Sequence, residues 1–232
     1  MAANKILDSV RSFVNFANDG FKYNLQVFPD TITAAALLFT LLFQSAPLGA
    51  LGGSMVLLNF IHPVLSGFLS EFVGGTLGID DAARCTGHFP GVSFERLIGA
   101  SSGSSFGRLQ AGWPSYYSTF LGFLGAYVAA LPVLYRRELA ASPRRQAATT
   151  TGLVVLGLVL TICAAYRVFS GCDTAFGTFV GLVAGGIIGL SLVLFLAWIS
   201  DRRITNILSF PLIRSKTADG KPIYVCERIK NA

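Results

Sequence analysis

Charged residues fall in blocks along this chain, and the uncharged stretches between the blocks are long enough to count as membrane spans. A helix needs about 20 mostly apolar residues to cross the hydrocarbon core of a bilayer. Residues 115–134, 148–166 and 174–200 each meet this length without one charged side chain. An earlier uncharged stretch, 31–70, is too long for one helix and is interrupted by Pro47, Gly49, Gly52 and Gly53. It predicts a helical hairpin, with one span over 31–46 and a second over 50–78 kinked at Pro63. The pattern therefore predicts an all-α integral membrane protein, a polytopic bundle of five transmembrane helices, with six as the alternative if the early stretch holds three short spans.

The ends of the chain follow other patterns. Residues 1–29 place Ile6, Leu7, Val10, Phe13, Val14 and Phe21 at roughly helical spacing with charges between them. That reads as an interfacial amphipathic helix, with a partner-docking helix as the alternative. Residues 30–200 form the bundle, and 201–232 form a basic polar tail in which Asp219-Gly220 offers a turn and 223–225 a short strand. The opening segment lacks the continuous apolar core of a cleavable signal peptide, so the mature chain is expected to begin near Met1.

Composition narrows the class further. Hydrophobic residues make up 53% and charged residues 13% of the 232, which excludes a disordered chain, a coiled coil and a soluble nucleic-acid-binding module. The net charge of +6 is distributed by topology. Arg136, Arg137, Arg144 and Arg145 follow the third span, and Arg202 and Arg203 open a tail that runs basic to Lys230. In the 80–113 loop, Arg84, Arg96 and Arg108 are balanced by Asp80, Asp81 and Glu95. The basic loop 136–145 and the tail are thus expected on the cytoplasmic face or its equivalent. An odd number of spans puts the N-terminus on the other face, against the mild preference of Lys5, Arg11 and Lys22.

Candidate chemistry is sparse. The four cysteines show no metal-binding spacing, and the only histidines are His62 and His88, so no metal or other cofactor is expected. Cys85 and Cys172 fall near the ends of adjacent spans on the non-basic face and would form a disulfide if that face is oxidising. Cys163 is buried by its span, and Cys226 lies on the reducing side. Glu71, near a span end, reads as a snorkelling or paired acid, with an ion path as the alternative. His62 reads as a hydrogen-bonded packing residue, and His88 as a solvent-facing loop residue. Arg167 is expected to pair with Asp173, or alternatively to hold an anion together with Ser115. In the last span Gly177, Gly181, Gly185 and Gly189 recur every four residues, a bare stripe against which the third or fourth span, or a second subunit, can pack.

Three segments of the non-basic face, GIDDAARC, GWPSYYSTF and AYRVFSGCDTAFGTFVG, resemble in order and spacing the signature motifs of the type 2 phosphatidic acid phosphatase superfamily. The resemblance implies a lipid-phosphatase-like helical bundle. Pro114 and Ser115 match the second motif, Arg167 and Gly171 the third, and Gly181 a helix-packing glycine. The catalytic positions depart from the family. Its acid histidine is Tyr117 here and the preceding glycine Tyr116, its nucleophilic histidine is Asp173, and the aspartate that orients it is Gly177. The first motif offers Asp80, Asp81 and Arg84 where the family has a lysine and an arginine-proline pair. These departures predict a chain without catalysis, and the basic elements on one face and the Ser/Gly-rich loop on the other, as docking surfaces, predict a structural or assembly subunit of a larger complex, such as an organellar complex or a virion membrane layer, contacting membrane lipids and other protein subunits and no nucleic acid. A lipid-phosphate hydrolase or binder using Arg167, Asp173 and Ser115 is the second reading, and a small transporter or channel the third.

Overall fold

Several helices begin where local chemistry favours a start. Pro29 and Pro143 sit in the first turns of α1 (Phe28–Phe43) and of a later helix, Pro143–Phe169, where the missing N–H is not needed. Ser115 caps Tyr116–Leu134 by accepting from the Ser118 N–H at 3.2 Å, and Thr174 caps Ala175–Ile199 by accepting from the Gly177 N–H at 3.0 Å. In a computed structural model the described residues are 20, 23–73, 113–200, 202–207, 213–216 and 222–224. After α1 come α2 (Ala46–Val73), α3 (Tyr116–Leu134), the short α4 (Arg136–Ala140), α5 (Pro143–Phe169) and α6 (Ala175–Ile199). Two short strands, β1 (Ile213–Lys216) and β2 (Pro222–Tyr224), pair antiparallel with Ile213 opposite Tyr224 and Lys216 opposite Pro222.

Four helices, α2, α3, α5 and α6, are long and apolar enough to cross a membrane. At 1.5 Å per residue, the 16-residue α1 reaches only about 24 Å against a hydrocarbon thickness of about 30 Å. Large apolar side chains on α5 and α6, among them Val154, Leu158, Ile162, Phe179 and Trp198, point away from the protein. A water-soluble surface would not carry so continuous an apolar skin, and lipid accepts it without cost. This is the architecture of an integral, multi-pass membrane protein.

The core is centred on α3. Of its spanning stretch 56% is buried, against 11% for α5. Phe120, Phe123 and Tyr127 of α3 are fully enclosed and belong to one cluster with Met55 and Leu58 of α2 and Val193 of α6. Along α6 the glycine stripe lies against α3. A Cβ at Gly181 would come within 2.7 Å of Ser118 Cβ, and at Gly185 and Gly189 it would collide with the carbonyls of Thr119 and Phe123. Gly122 of α3 returns the fit, since a Cβ there would strike the carbonyl of Leu182. The two backbones touch because neither has a side chain at these positions.

Contacts also fix which helix ends lie together. At one end, Tyr117 Oη donates to Leu25 O and His62 of α2 reaches the Pro114 carbonyl. At the other, Leu51 of α2, Pro132 of α3, Arg145 of α5 and Ile207 after α6 line one cavity. The basic residues 136, 137, 144, 145, 202 and 203 gather at this second end. There the chain after α6 folds back onto α3: Tyr135 Oη donates to Arg202 O and lies 2.9 Å from Thr205 Oγ1, while Arg202 Nη1 donates to Leu134 O at 3.0 Å. Thr205 is fully buried, and burial pushes the Tyr135 phenol above the usual tyrosine range.

Several boundaries differ from those read in the sequence. α1 begins at Phe28 rather than 31, with Pro29 in its first turn, and α2 at Ala46 rather than 50, because helix formation tolerates Gly49 and Gly52 on a packed face. A Cβ at Gly49 or Gly52 would press on Thr40 or Leu37 of α1. α2 runs through Pro63 to Val73, and 74–78 lie outside the described residues. α5 begins at Pro143, not 148, so its first turn is polar and basic, and a short helix occupies part of the expected loop 136–145. The strand expected at 223–225 spans Pro222–Tyr224, and β1 was not foreseen. The 1–19 part of the amphipathic segment, the 80–112 loop with Asp80, Asp81, Arg84 and His88, and Cys226 lie outside the described residues.

Candidate functional site

The second and third motif segments meet at the end of the bundle opposite the basic cluster. α5 stops at Phe169, and Gly171 follows with φ of +72°, a left-handed conformation that glycine adopts without strain. The turn lets the N–H groups of Cys172 and Asp173 donate to Arg167 O at 3.0 and 3.2 Å. It thereby folds the Asp173 carboxylate back over the Arg167 side chain. Arg167 Nε donates to Asp173 Oδ2 at 3.1 Å and Nη2 to Oδ1 at 3.4 Å. Both residues are buried, at 7% and 8% exposure, so the pair is largely removed from solvent screening.

From the other side, the start of α3 supplies two hydroxyls. Ser115 Oγ donates to Asp173 Oδ2 at 2.8 Å and Ser118 Oγ donates to the same oxygen at 3.0 Å. One carboxylate oxygen thus gathers a guanidinium and two serines. Tyr117, on the next face of α3, lies beneath the guanidinium with Arg167 Cζ 4.8 Å from its ring centre, a cation–π contact.

The turn that presents Ser115 is held from α2. His62 Nε2 donates to Pro114 O at 2.9 Å, which requires the proton on Nε2, and Ser66 Oγ donates to Trp113 O at 3.2 Å. The His62 ring also meets Tyr116 edge-on, with centres 5.4 Å apart. The Trp113–Pro114 peptide is cis. Trp113 stacks on Phe176 at 5.6 Å and packs over Gly177, where a Cβ would lie 2.8 Å from the indole nitrogen.

Of the residues singled out in the sequence, Pro114, Ser115, Arg167, Gly171 and Asp173 converge here. Gly177 and Gly181 line the adjoining helix contact. His62 is a hydrogen-bonded packing residue, and its imidazole is engaged by Pro114 rather than facing Asp173. Cys163 is buried with a free thiol, and Cys172 is disulfide-bonded. Cys85, the expected partner, lies outside the described residues, as does the side chain of Glu71. Ser118 and the roles of Tyr117 and Ser66 were not anticipated. The signal for Ser118 was present as Ser-x-x-Ser at a helix start, since a cap and the residue three positions on face each other.

Chemically the cluster is self-satisfied. The cation is matched by a carboxylate of the same chain, both hydroxyls lie within hydrogen-bonding distance of that carboxylate and 3.0 Å from each other, and His62, the one histidine among the described residues, is turned to a backbone carbonyl. Comparisons with known proteins return no match: no family model, no curated protein and no solved structure is similar to this chain.

Proposed function

We propose that this chain is a non-catalytic, multi-pass membrane protein with a bundle like that of the type 2 phosphatidic acid phosphatases, and that it serves as a structural or assembly subunit of a larger membrane complex. The observation that carries this reading is the engagement of Arg167 by Asp173. In the family the sequence resembles, the corresponding arginine holds the substrate phosphate and a histidine stands in place of Asp173. Here a phosphate would have to displace a buried carboxylate from its fork, or else sit beside its negative charge. The hydroxyls of Ser115 and Ser118 are committed to the same oxygen. What remains of such a site acts as a staple joining the α5–α6 turn to the start of α3.

Two further observations support an assembly role. α5 contributes little to the core and presents a long apolar face to whatever surrounds it, lipid or another subunit. The basic end, with its folded-back tail, offers a charged docking surface on what this reading takes as the cytoplasmic or equivalent side. A disulfide at Cys172 suits an oxidising compartment on the opposite side.

The reading is tested by gentle extraction from the native membrane followed by sizing and identification of the components. The expected result is a stoichiometric complex from which this chain does not dissociate in mild detergent. Recovery of a lone chain that hydrolyses phosphatidic acid would overturn it in favour of a lipid-phosphate hydrolase.

A further inference from the structure

At the basic end of the bundle a cavity of about 500 Å³ opens between α2, α3, α5 and the segment after α6. Its described walls are mostly apolar, with Leu51, Pro132, Gly152, Leu153 and Ile207 among them and Thr149 between, and Arg145 is the one charged residue among the described lining residues. Arg145 lies in the first turn of α5 and Gly152 seven residues further along, about 10 Å deeper at 1.5 Å per residue. Gly152 leaves the wall open, as a Cβ there would meet nothing within 4 Å. The side chain of Arg145 is exposed, as are those of Arg136, Arg137, Arg144, Arg202 and Arg203 around the same end.

We infer that this groove binds one anionic phospholipid, its phosphate at Arg145 and the upper part of an acyl chain running past Gly152 and Leu153. Three considerations favour this occupant. The polarity runs in one direction, from a cation at the helix start past Thr149 to Gly152 and Leu153 about 10 Å deeper, which matches the step from headgroup to acyl chain in a lipid. The surrounding arginines favour a net negative headgroup over a zwitterionic one, and basic pockets between spanning helices are a recurrent way of holding such lipids. The volume is within the roughly 300–1,000 Å³ of small-ligand sites, whereas two turns of a helix 10 Å across would need about 850 Å³. The inference does not depend on whether the Arg167 cluster at the other end is catalytic.

Thermal unfolding of the full chain in detergent, titrated with phosphatidylglycerol, with phosphatidylcholine of the same acyl chains and with glycerol phosphate, tests the site. Phosphatidylglycerol is expected to raise the melting temperature saturably, and the other two to have little effect. Arg145→Ala and Gly152→Phe, which remove the cation and fill the groove, should each raise the half-saturating lipid concentration at least tenfold. Arg137→Ala, at the same end but off the groove, should leave it unchanged. Equal stabilisation by phosphatidylcholine would overturn the requirement for an anion. Equal stabilisation by glycerol phosphate would show that the groove plays no part, and a loss in Arg137→Ala as large as in Arg145→Ala would replace the site by a diffuse basic surface. The three-ligand comparison on the unaltered chain tests the need for an anionic lipid even if a variant fails to fold, and either groove variant set against Arg137→Ala then tests the place.

Discussion

At Asp173 a single carboxylate oxygen accepts from Arg167 Nε, Ser115 Oγ and Ser118 Oγ, so its removal takes away the carboxylate that a buried cation and two hydroxyls share. Breaking one side of a buried ion pair costs about 3–5 kcal/mol, mostly because the partner charge is left uncompensated. Asp173→Ala and Arg167→Ala should therefore each lower stability by an amount of that order. The double variant should lose much less than the sum, because neither charge is then orphaned. Detergent-solubilised melting of the three variants measures the coupling, and strict additivity would mean that the pair contributes nothing. The pairing itself was legible in the sequence, because a glycine four residues after an arginine at a span end turns the chain back toward it. Ser118 was signalled only by its place three residues after a cap, and the share taken by Tyr117 was not legible, since a run of apolar residues shows which positions are buried without showing which of them face the turn of another helix.

The α3–α6 contact is set by glycines at the scale of whole elements. Leu at Gly181 or Gly185 must displace Ser118 or the Thr119 carbonyl, and backbone cannot move aside as a flexible side chain does. Overpacking of this kind costs about 1–3 kcal/mol. Leu in place of Val183, which points outward at 47% exposure, should be nearly neutral. Melting temperatures of Gly181→Leu, Gly185→Leu and Val183→Leu are expected to separate into two low values and one near the parent, and three equal values would remove the packing argument. Tyr135→Phe probes the docking of the tail: it deletes the phenol's bonds to Arg202 O and Thr205 Oγ1, a loss of about 0.5–1.5 kcal/mol, since buried Thr205 still donates to Arg202 O at 3.3 Å. Limited proteolysis after α6 should accelerate in this variant, and an unchanged cleavage rate would show that the tail is held by other contacts. The glycine stripe could be read from a four-residue period alone, but the helix it packs against could not. Helix limits were less legible, because hydropathy marks the part of α5 that suits lipid, whereas Pro143 and the arginines after it extend the same helix beyond that part.

For the molecule as a whole, the account sets two unlike ends on one helical bundle. α5 has 27 residues and so extends about 40 Å, enough to separate Ser142 from Ser170 across a bilayer. Cysteines introduced at these two positions, with native thiols blocked beforehand, should be labelled by an impermeant reagent from opposite sides of sealed vesicles, position 142 from the cytoplasmic side. Labelling of both from one side would contradict the spanning arrangement. The division into a basic end and a motif-bearing end followed from where charges stand along the chain, while the cavity beside Arg145 arises from four separate segments and has no local signature. The central claim, that the residues matching a phosphatase site now form an internal ion pair and no longer turn over substrate, is tested most directly by phosphate release from phosphatidic acid by the purified chain and its Asp173→Asn variant. The account predicts release at the rate of protein-free vesicles for both. Release above that rate that disappears on substituting Asp173 would contradict it.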